Sequence, residues 1–134
     1  MPLKLPDGAE AAFRIEADDA FGSRFAINVY GAGRGGWFVA SHRLSGREHD
    51  SGVRPLPKGE WPTLLHLINC CGFWGLPEDD AHLTDRDAFV DDGEVLYVAG
   101  RDAERHHRVC RFVRREPGLE AVLSFGRRAS GFFV

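Results

Sequence analysis

The sequence predicts a single α+β domain, an antiparallel sheet of four or five strands with two helices packed on one face. Three observations lead there. Short runs alternate apolar and polar residues with the two-residue period of half-buried strands. Two segments, 61–71 and 119–128, instead repeat apolar residues at helical offsets. The order of elements is strands, helix, two strands, helix, which is an α+β arrangement with antiparallel pairing. A chain of 134 residues is about one domain long. It can bury about two-thirds of its unfolded surface, so one core forms without staples. With 43% apolar and 28% charged residues, the composition excludes a disordered or collagen-like chain.

Residues 1–10, with Pro2, Pro6 and Gly8, read as a flexible arm on a domain spanning 1–134. Phe13 and Ile15 alternate with Arg14 and Glu16 as a short half-buried strand. Arg24 to Tyr30 is a clearer one, with Phe25, Ile27 and Val29 facing one way and Ala26, Asn28 and Tyr30 the other. In the strand from Trp37 to Leu44, Phe38, Ala40 and Leu44 share a face opposite Trp37 and Val39. The glycine-rich Gly31–Gly36 segment between these two strands suits a hairpin connection. Residues 45–60, rich in Gly, Ser, Pro and charge, read as a loop.

Trp61, Leu64, Leu65 and Ile68 then form one helical stripe. Pro62 is tolerated in the first turn, where its missing N–H has no helical partner. Gly72 is placed to end the helix in a left-handed conformation. Phe73-Trp74-Gly75-Leu76 should be extended, because Pro77 pushes Leu76 out of the helical region. An acidic loop follows over 78–93, ending on the turn signal Asp92-Gly93. Two strands come next, Glu94–Ala99 and His106–Val113, with a turn over Gly100–Arg105. Glu116-Pro117-Gly118 breaks the chain before a last helix marked by Leu119, Val122, Leu123 and Gly126. The apolar end, Phe132-Phe133-Val134, should pack.

The formal charge of −3 argues against a general nucleic-acid binder, which is usually basic. Charge is uneven along the chain. Glu78, Asp79, Asp80, Asp85, Asp87, Asp91, Asp92 and Glu94 stand against Arg86 alone, whereas Arg101 to Arg115 holds six arginines against Asp102 and Glu104. The two segments are expected to neighbour and partly neutralise each other, or one of them meets a charged partner. Three cysteines, two of them adjacent (Cys70, Cys71 and Cys110), make a poor disulfide framework and suit a reducing compartment. With neither a secretory pattern at the start nor an apolar run of membrane-spanning length, the expectation is a cytoplasmic protein.

Phe73-Trp74-Gly75-Leu76-Pro77, then Asp92-Gly93, Gly100, His107, Arg111 and a following proline, resemble a family of small uncharacterised bacterial proteins. Its pattern is FWxLP after a tryptophan-started helix, then a DG-strand-G hairpin whose return strand carries HxxxR. The likeness covers about residues 60–120. Leu96 stands where that family has an aromatic residue and Ala99 where it has a glutamate, so any polar work of that glutamate is absent or done otherwise. The resemblance brings no activity with it. Proteins of this size and style include toxin-neutralising immunity proteins.

Several motifs invite chemistry. Gly31–Gly36 matches GxGxxG, but a strand follows it instead of the helix that would meet a pyrophosphate. His66 and Cys70 lie four apart on a helix and could share a metal, with His107 or Cys110 completing a composite site. Cys71 is turned about 100° away from them. His106 and Cys110 have the same spacing on a strand, about 13 Å apart and too far for one ion. No paired CxxC or HxxxH element is present, so neither a metal nor any cofactor is expected. His107 and Arg111 share a strand face, and with Asp91 or Asp92 could form an acid–base and anion-clamping cluster, or else tie the acidic loop to the sheet. No serine has a nucleophile-elbow context.

The expectation is therefore a non-enzymatic protein-binding domain with no catalytic residues. Its most concrete form is an immunity protein whose partner, a basic toxin domain, is met by Glu78, Asp79, Asp80, Asp85, Asp87, Asp91 and Asp92. The alternative is a small enzyme or ligand-binding domain using His107, Arg111 and an aspartate.

Overall fold

The computed structural model describes residues 3–19, 22–78, 94–111 and 116–132. Its elements are β1 (Ala11–Asp18), β2 (Arg24–Ala32), β3 (Gly35–Leu44), β4 (Arg47–Pro55), α1 (Glu60–Cys70), a 3-10 turn (Phe73–Gly75), β5 (Val95–Asp102), β6 (His106–Arg111) and α2 (Pro117–Ser130). The strands form one sheet in the order β4-β3-β2-β1-β5-β6. Every neighbouring pair is antiparallel. Among the described residues no helix is long and apolar enough to cross a membrane.

The α+β class and antiparallel pairing stand as expected, but the sheet has six strands. The extra one is β4, inside the segment read as a loop. Its residues are almost all exposed, so no apolar alternation marks it. It is held instead by its turn. Ser45 and Gly46 both have positive φ, 52° and 80°, and connect the pair Leu44↔Arg47. That is the two-residue hairpin geometry whose twist matches the flanking strands. A bulge follows, where Ser51 and Gly52 stand opposite Ala40 alone, and the Ser51 hydroxyl accepts the Ala40 N–H at 2.9 Å.

Alternation places Phe13, Ile15, Phe25, Ile27, Val29, Phe38, Ala40, Leu96, Val98 and Val109 on one face, in a single buried cluster with Trp61, Leu64 and Ile68 of α1 and Leu119, Val122, Leu123 and Phe125 of α2. Leu44, expected on this face, lies at the end of β3 and is 54% exposed. Pro62 sits in the first turn of α1, and Gly72 follows the helix at φ 67°. Phe73–Gly75 departs from the expected extended form. Only Leu76, directly before Pro77, is extended (φ −72°, ψ 145°), because proline restricts its immediate predecessor and no residue further back.

Glycines on the inner face make room for rings. A Cβ on Gly31 would lie 2.0 Å from the Trp61 indole, and one on Gly100 would lie 2.8 Å from both Phe13 and Phe73. Gly100 was expected to start a turn, but the strand runs through it to Asp102. Phe13 is the hub of the ring cluster, with centroids of Trp61, Phe73 and Trp74 at 6.0, 6.3 and 6.0 Å. Gly126 of α2 lies so close to β1 and β2 that a Cβ there would meet Ile27 at 3.1 Å and Ile15 at 3.2 Å.

Residues 3–10 carry no helix or strand. The Leu3 carbonyl accepts from Arg101 at 3.1 Å, and the Glu10 N–H donates to Gly31 at 2.8 Å. At the other end, Phe132 packs against the core and stacks on His42 at 5.9 Å, while Phe133 and Val134 lie outside the described residues.

Overpacking of a filled core costs about 1–3 kcal/mol. Gly31→Ala should therefore lose about that much stability in urea unfolding. Gly35→Ala, whose Cβ would enter open space, should stay within about 0.5 kcal/mol of the parent.

Candidate partner-binding face

Among the described residues the helices cover one face of the sheet only. On the other, the register lines up side chains in rows across the strands. Pro55, Trp37, Tyr30, Ala12, Arg101 and His106 form one row, and Val53, Val39, Asn28, Arg14, Ala99 and Arg108 the next. Then come Asp50, Ser41, Ala26, Glu16, Tyr97 and Cys110, and finally Glu48, Arg43, Arg24 and Asp18. The face mixes aromatic rings with arginines. Tyr30 and Trp37 stack at 5.7 Å, Tyr97 is 42% exposed, and Val53 is 73% exposed.

The half-buried Glu16 carboxylate organises the middle of the face. It takes Arg14 Nε at 3.2 Å on one oxygen and pairs with Arg24 on the other. Arg14 also donates to Asn28 at 3.1 Å. Asp18 Oδ1 is buried 3.5 Å from Arg24 Nε and accepts no hydrogen bond. Burial, together with the neighbouring Glu16 charge, pushes the Asp18 carboxyl above its ordinary range, against the pull of Arg24, Arg43 and Arg14.

Two depressions lie on this face. One, of about 270 Å³, is lined by Arg14, Arg24, Ser41, Arg43 and Glu48. The other, of about 470 Å³, is lined by residues of β1, β5 and β6, among them Glu16, Tyr97, Ala99, Arg108 and Cys110, together with Glu78. Burial, aided by the Cys110 thiol beside it, raises the Tyr97 phenol.

Of the residues expected to meet a partner, Asp79, Asp80, Asp85, Asp87, Asp91 and Asp92 lie outside the described residues. Glu78 is exposed, and its carbonyl accepts the Cys110 N–H at 2.6 Å on the edge strand β6. At the far end of the acidic segment, Glu94 pairs with Arg127 of α2 at 3.1 Å. Glu78 shares a depression with Arg108, so acidic and arginine-rich segments do meet at this point.

His107 and Arg111 share a face, but it is the inner one. His107 Nε2 donates to the Leu76 carbonyl at 2.8 Å, and its ring packs edge-on against Phe73 at 5.3 Å. Arg111 is 2% exposed and donates to the Cys110 carbonyl at 3.0 Å and to Glu116 at 3.3 Å. About 13 Å of strand separates the two, and neither lines either depression on the open face. They bind the chain after α1, and the start of α2, to the edge of the sheet.

His66 and Cys70 do approach, with Nε2 3.3 Å from the sulfur. Cys71 turns away to the Ile68 carbonyl, and burial raises its thiol. Among the described residues no three His, Cys, Asp or Glu side chains gather around a metal position. Gly31–Gly36 is the β2–β3 hairpin, as the strand after it implied.

The hairpin between β5 and β6 is closed by Asp102, which accepts the Glu104 and Arg105 N–H groups at 2.9 and 2.7 Å and grips the Arg105 guanidinium at 2.7 and 3.0 Å. That guanidinium lies 4.0 Å over the Trp74 ring. These bonds hold the Asp102 carboxyl below its ordinary range. The open face itself was not singled out from sequence, although Trp37, Tyr30 and Asn28 had been assigned to the face away from the core. Comparison with protein-family models, curated proteins and solved structures gives no match to this chain.

The two shifted carboxyls predict opposite pH behaviour. A lowered folded pKa gives stability that is present above the unfolded value and lost as pH falls through the folded one. Asp102→Asn should therefore be destabilising at neutral pH, and the difference from the parent should fade on acidification below the ordinary carboxylate range. Asp18 is raised, so its charged form disfavours folding above its pKa. Asp18→Asn should be neutral or stabilising at pH 7, read as the urea midpoint.

Proposed function

We propose that this chain is a non-enzymatic protein-binding domain, in its most concrete form a bacterial immunity-type protein that occludes a cognate toxin domain. The acids from Glu78 to Asp92, the β6 edge beside Glu78 and the open sheet face form the contact surface. The one-sided sheet carries this reading. Among the described residues both helices cover one face of the six-stranded sheet, and the other face holds Tyr30, Trp37, Tyr97 and several arginines. Tyrosine, tryptophan and arginine supply most hot-spot energy at protein interfaces. Glu78, the first acid of that segment, lines the larger depression on the same face. A run of like charge beside a contact surface speeds encounter with an oppositely charged partner and selects for it. The alternative, an enzyme or ligand site on His107 and Arg111, has less behind it, since both side chains are spent on main-chain and carboxylate bonds.

The test is a binding titration with the partner that co-purifies from native cells, itself purified. Changing Asp79, Asp80, Asp85 and Asp87 to Asn should weaken binding about tenfold, mainly through slower association and with a smaller salt dependence. Trp37→Ala should weaken it by a similar factor, beyond the modest drop in urea midpoint that loss of the Tyr30 stack brings. Unchanged affinity in both variants would refute the reading.

A further inference from the structure

The smaller depression on the open face holds more hydrogen-bond donors than the protein uses. Arg43, exposed at the end of β3, makes no hydrogen bond or ion pair among the described residues, and neither does the Ser41 hydroxyl two residues before it on the same face. Arg14 spends Nε on Glu16 and Nη1 on Asn28, and Arg24 spends Nη2 on Glu16 while its Nε lies 3.5 Å from Asp18 without a hydrogen bond. A guanidinium has five N–H donors, so each of these two keeps donors in reserve. Their carboxylate partners also hold them in place. Glu16 grips one arginine with each oxygen and is itself only 12% exposed. Three strands thus bring three guanidiniums and a hydroxyl to the wall of one hollow of about 270 Å³, and two of the guanidiniums are already oriented.

We propose that this hollow is an oxyanion site, taking a carboxylate or phosphate group between Arg43, Ser41 and the free donors of Arg14 and Arg24. Planar guanidinium forks match both groups, and such charge-assisted bonds are the stronger class. Glu48, the one acid in the lining, stands at the rim on the exposed edge strand and opposes the anion. Glu16 and Asp18 neutralise part of the arginine charge, so selectivity comes from donor geometry more than from net charge. The proposal does not depend on the partner-binding reading, because the group could arrive on a small molecule or as an acidic side chain of a partner.

The test is a titration followed through backbone amide and arginine Nε–H resonances, using inorganic phosphate in one arm and acetate in the other, at matched ionic strength with chloride. Saturable shifts confined to Arg14, Arg24, Ser41 and Arg43 are expected. Arg43→Gln should weaken binding about tenfold or more, the scale of losing a charged hydrogen bond, and Glu48→Gln should tighten it. Preference for phosphate would identify a phosphorylated ligand, and equal or better binding of acetate a carboxylate; either supports the site. Shifts that are linear and spread over the surface, or saturable shifts indifferent to Arg43→Gln, would overturn it. Arg43 makes no hydrogen bond or ion pair among the described residues, and Ser41→Ala, expected to weaken binding to a smaller degree, provides a second variant that leaves Arg43 and its charged neighbours in place.

Discussion

The Trp61 indole occupies the space that a side chain on Gly31 would fill, and Phe13 and Phe73 crowd the corresponding space over Gly100. These two gaps in the inner face of the sheet let the rings sink to backbone level. With the rings seated, α1 and the turn after it can lie only on that side, and α2 closes over Ile15 and Ile27 through Gly126. Every other feature follows from this one-sided attachment. Among the described residues two helices are long enough to shield a sheet face, and both are committed to the same face. The opposite face is left to alternation alone, and alternation fills it with Arg14, Glu16, Asn28, Tyr30, Trp37 and Tyr97.

That uncovered surface is stable because it is polar where it is most packed. Glu16 joins two arginines, Asn28 takes a third contact, and Ala12 and Ala26 keep the backbone covered at 0% and 4% exposure with the smallest possible side chains. The same network leaves donors unspent around Ser41 and Arg43. A surface that is internally ordered yet chemically unsatisfied is well suited to recognition, since the side chains lose little freedom when a partner arrives. At the β6 edge, Glu78 and Arg108 line the larger depression together.

Much of the fold was legible in the residues. Strong alternation gave β2 and β3, the Trp61–Ile68 stripe gave α1, and the missing helix after Gly36 removed the phosphate-loop reading. β4 was not legible by pattern because both its faces are wet; its only sequence mark is Ser45-Gly46, a turn pair that the apolar count ignores. Gly100 was misread for a related reason. A glycine between two strand-like runs suggests a turn, and only the position of two rings from other elements shows that it is a gap. His107 and Arg111 had the right shared face, but the face was the buried one, where their chemistry goes into holding the chain together. The arginine hollow was beyond the sequence altogether, since Arg14, Arg24, Ser41 and Arg43 meet only through the register of three strands.

Among the described residues the two helices lie on one side of the sheet and leave the other without a helix, and the rest depends on this. Hydroxyl-radical footprinting of the isolated protein tests it residue by residue, because oxidation rates follow side-chain access to solvent. Tyr97 should oxidise quickly and the half-buried Trp37 and Tyr30 at intermediate rates, while Trp61, at 2% exposure, and Phe73, at 0%, should be protected until the protein unfolds. Equal protection of Trp37 and Trp61 would mean that the second face is also covered by the protein's own chain, and would contradict the account.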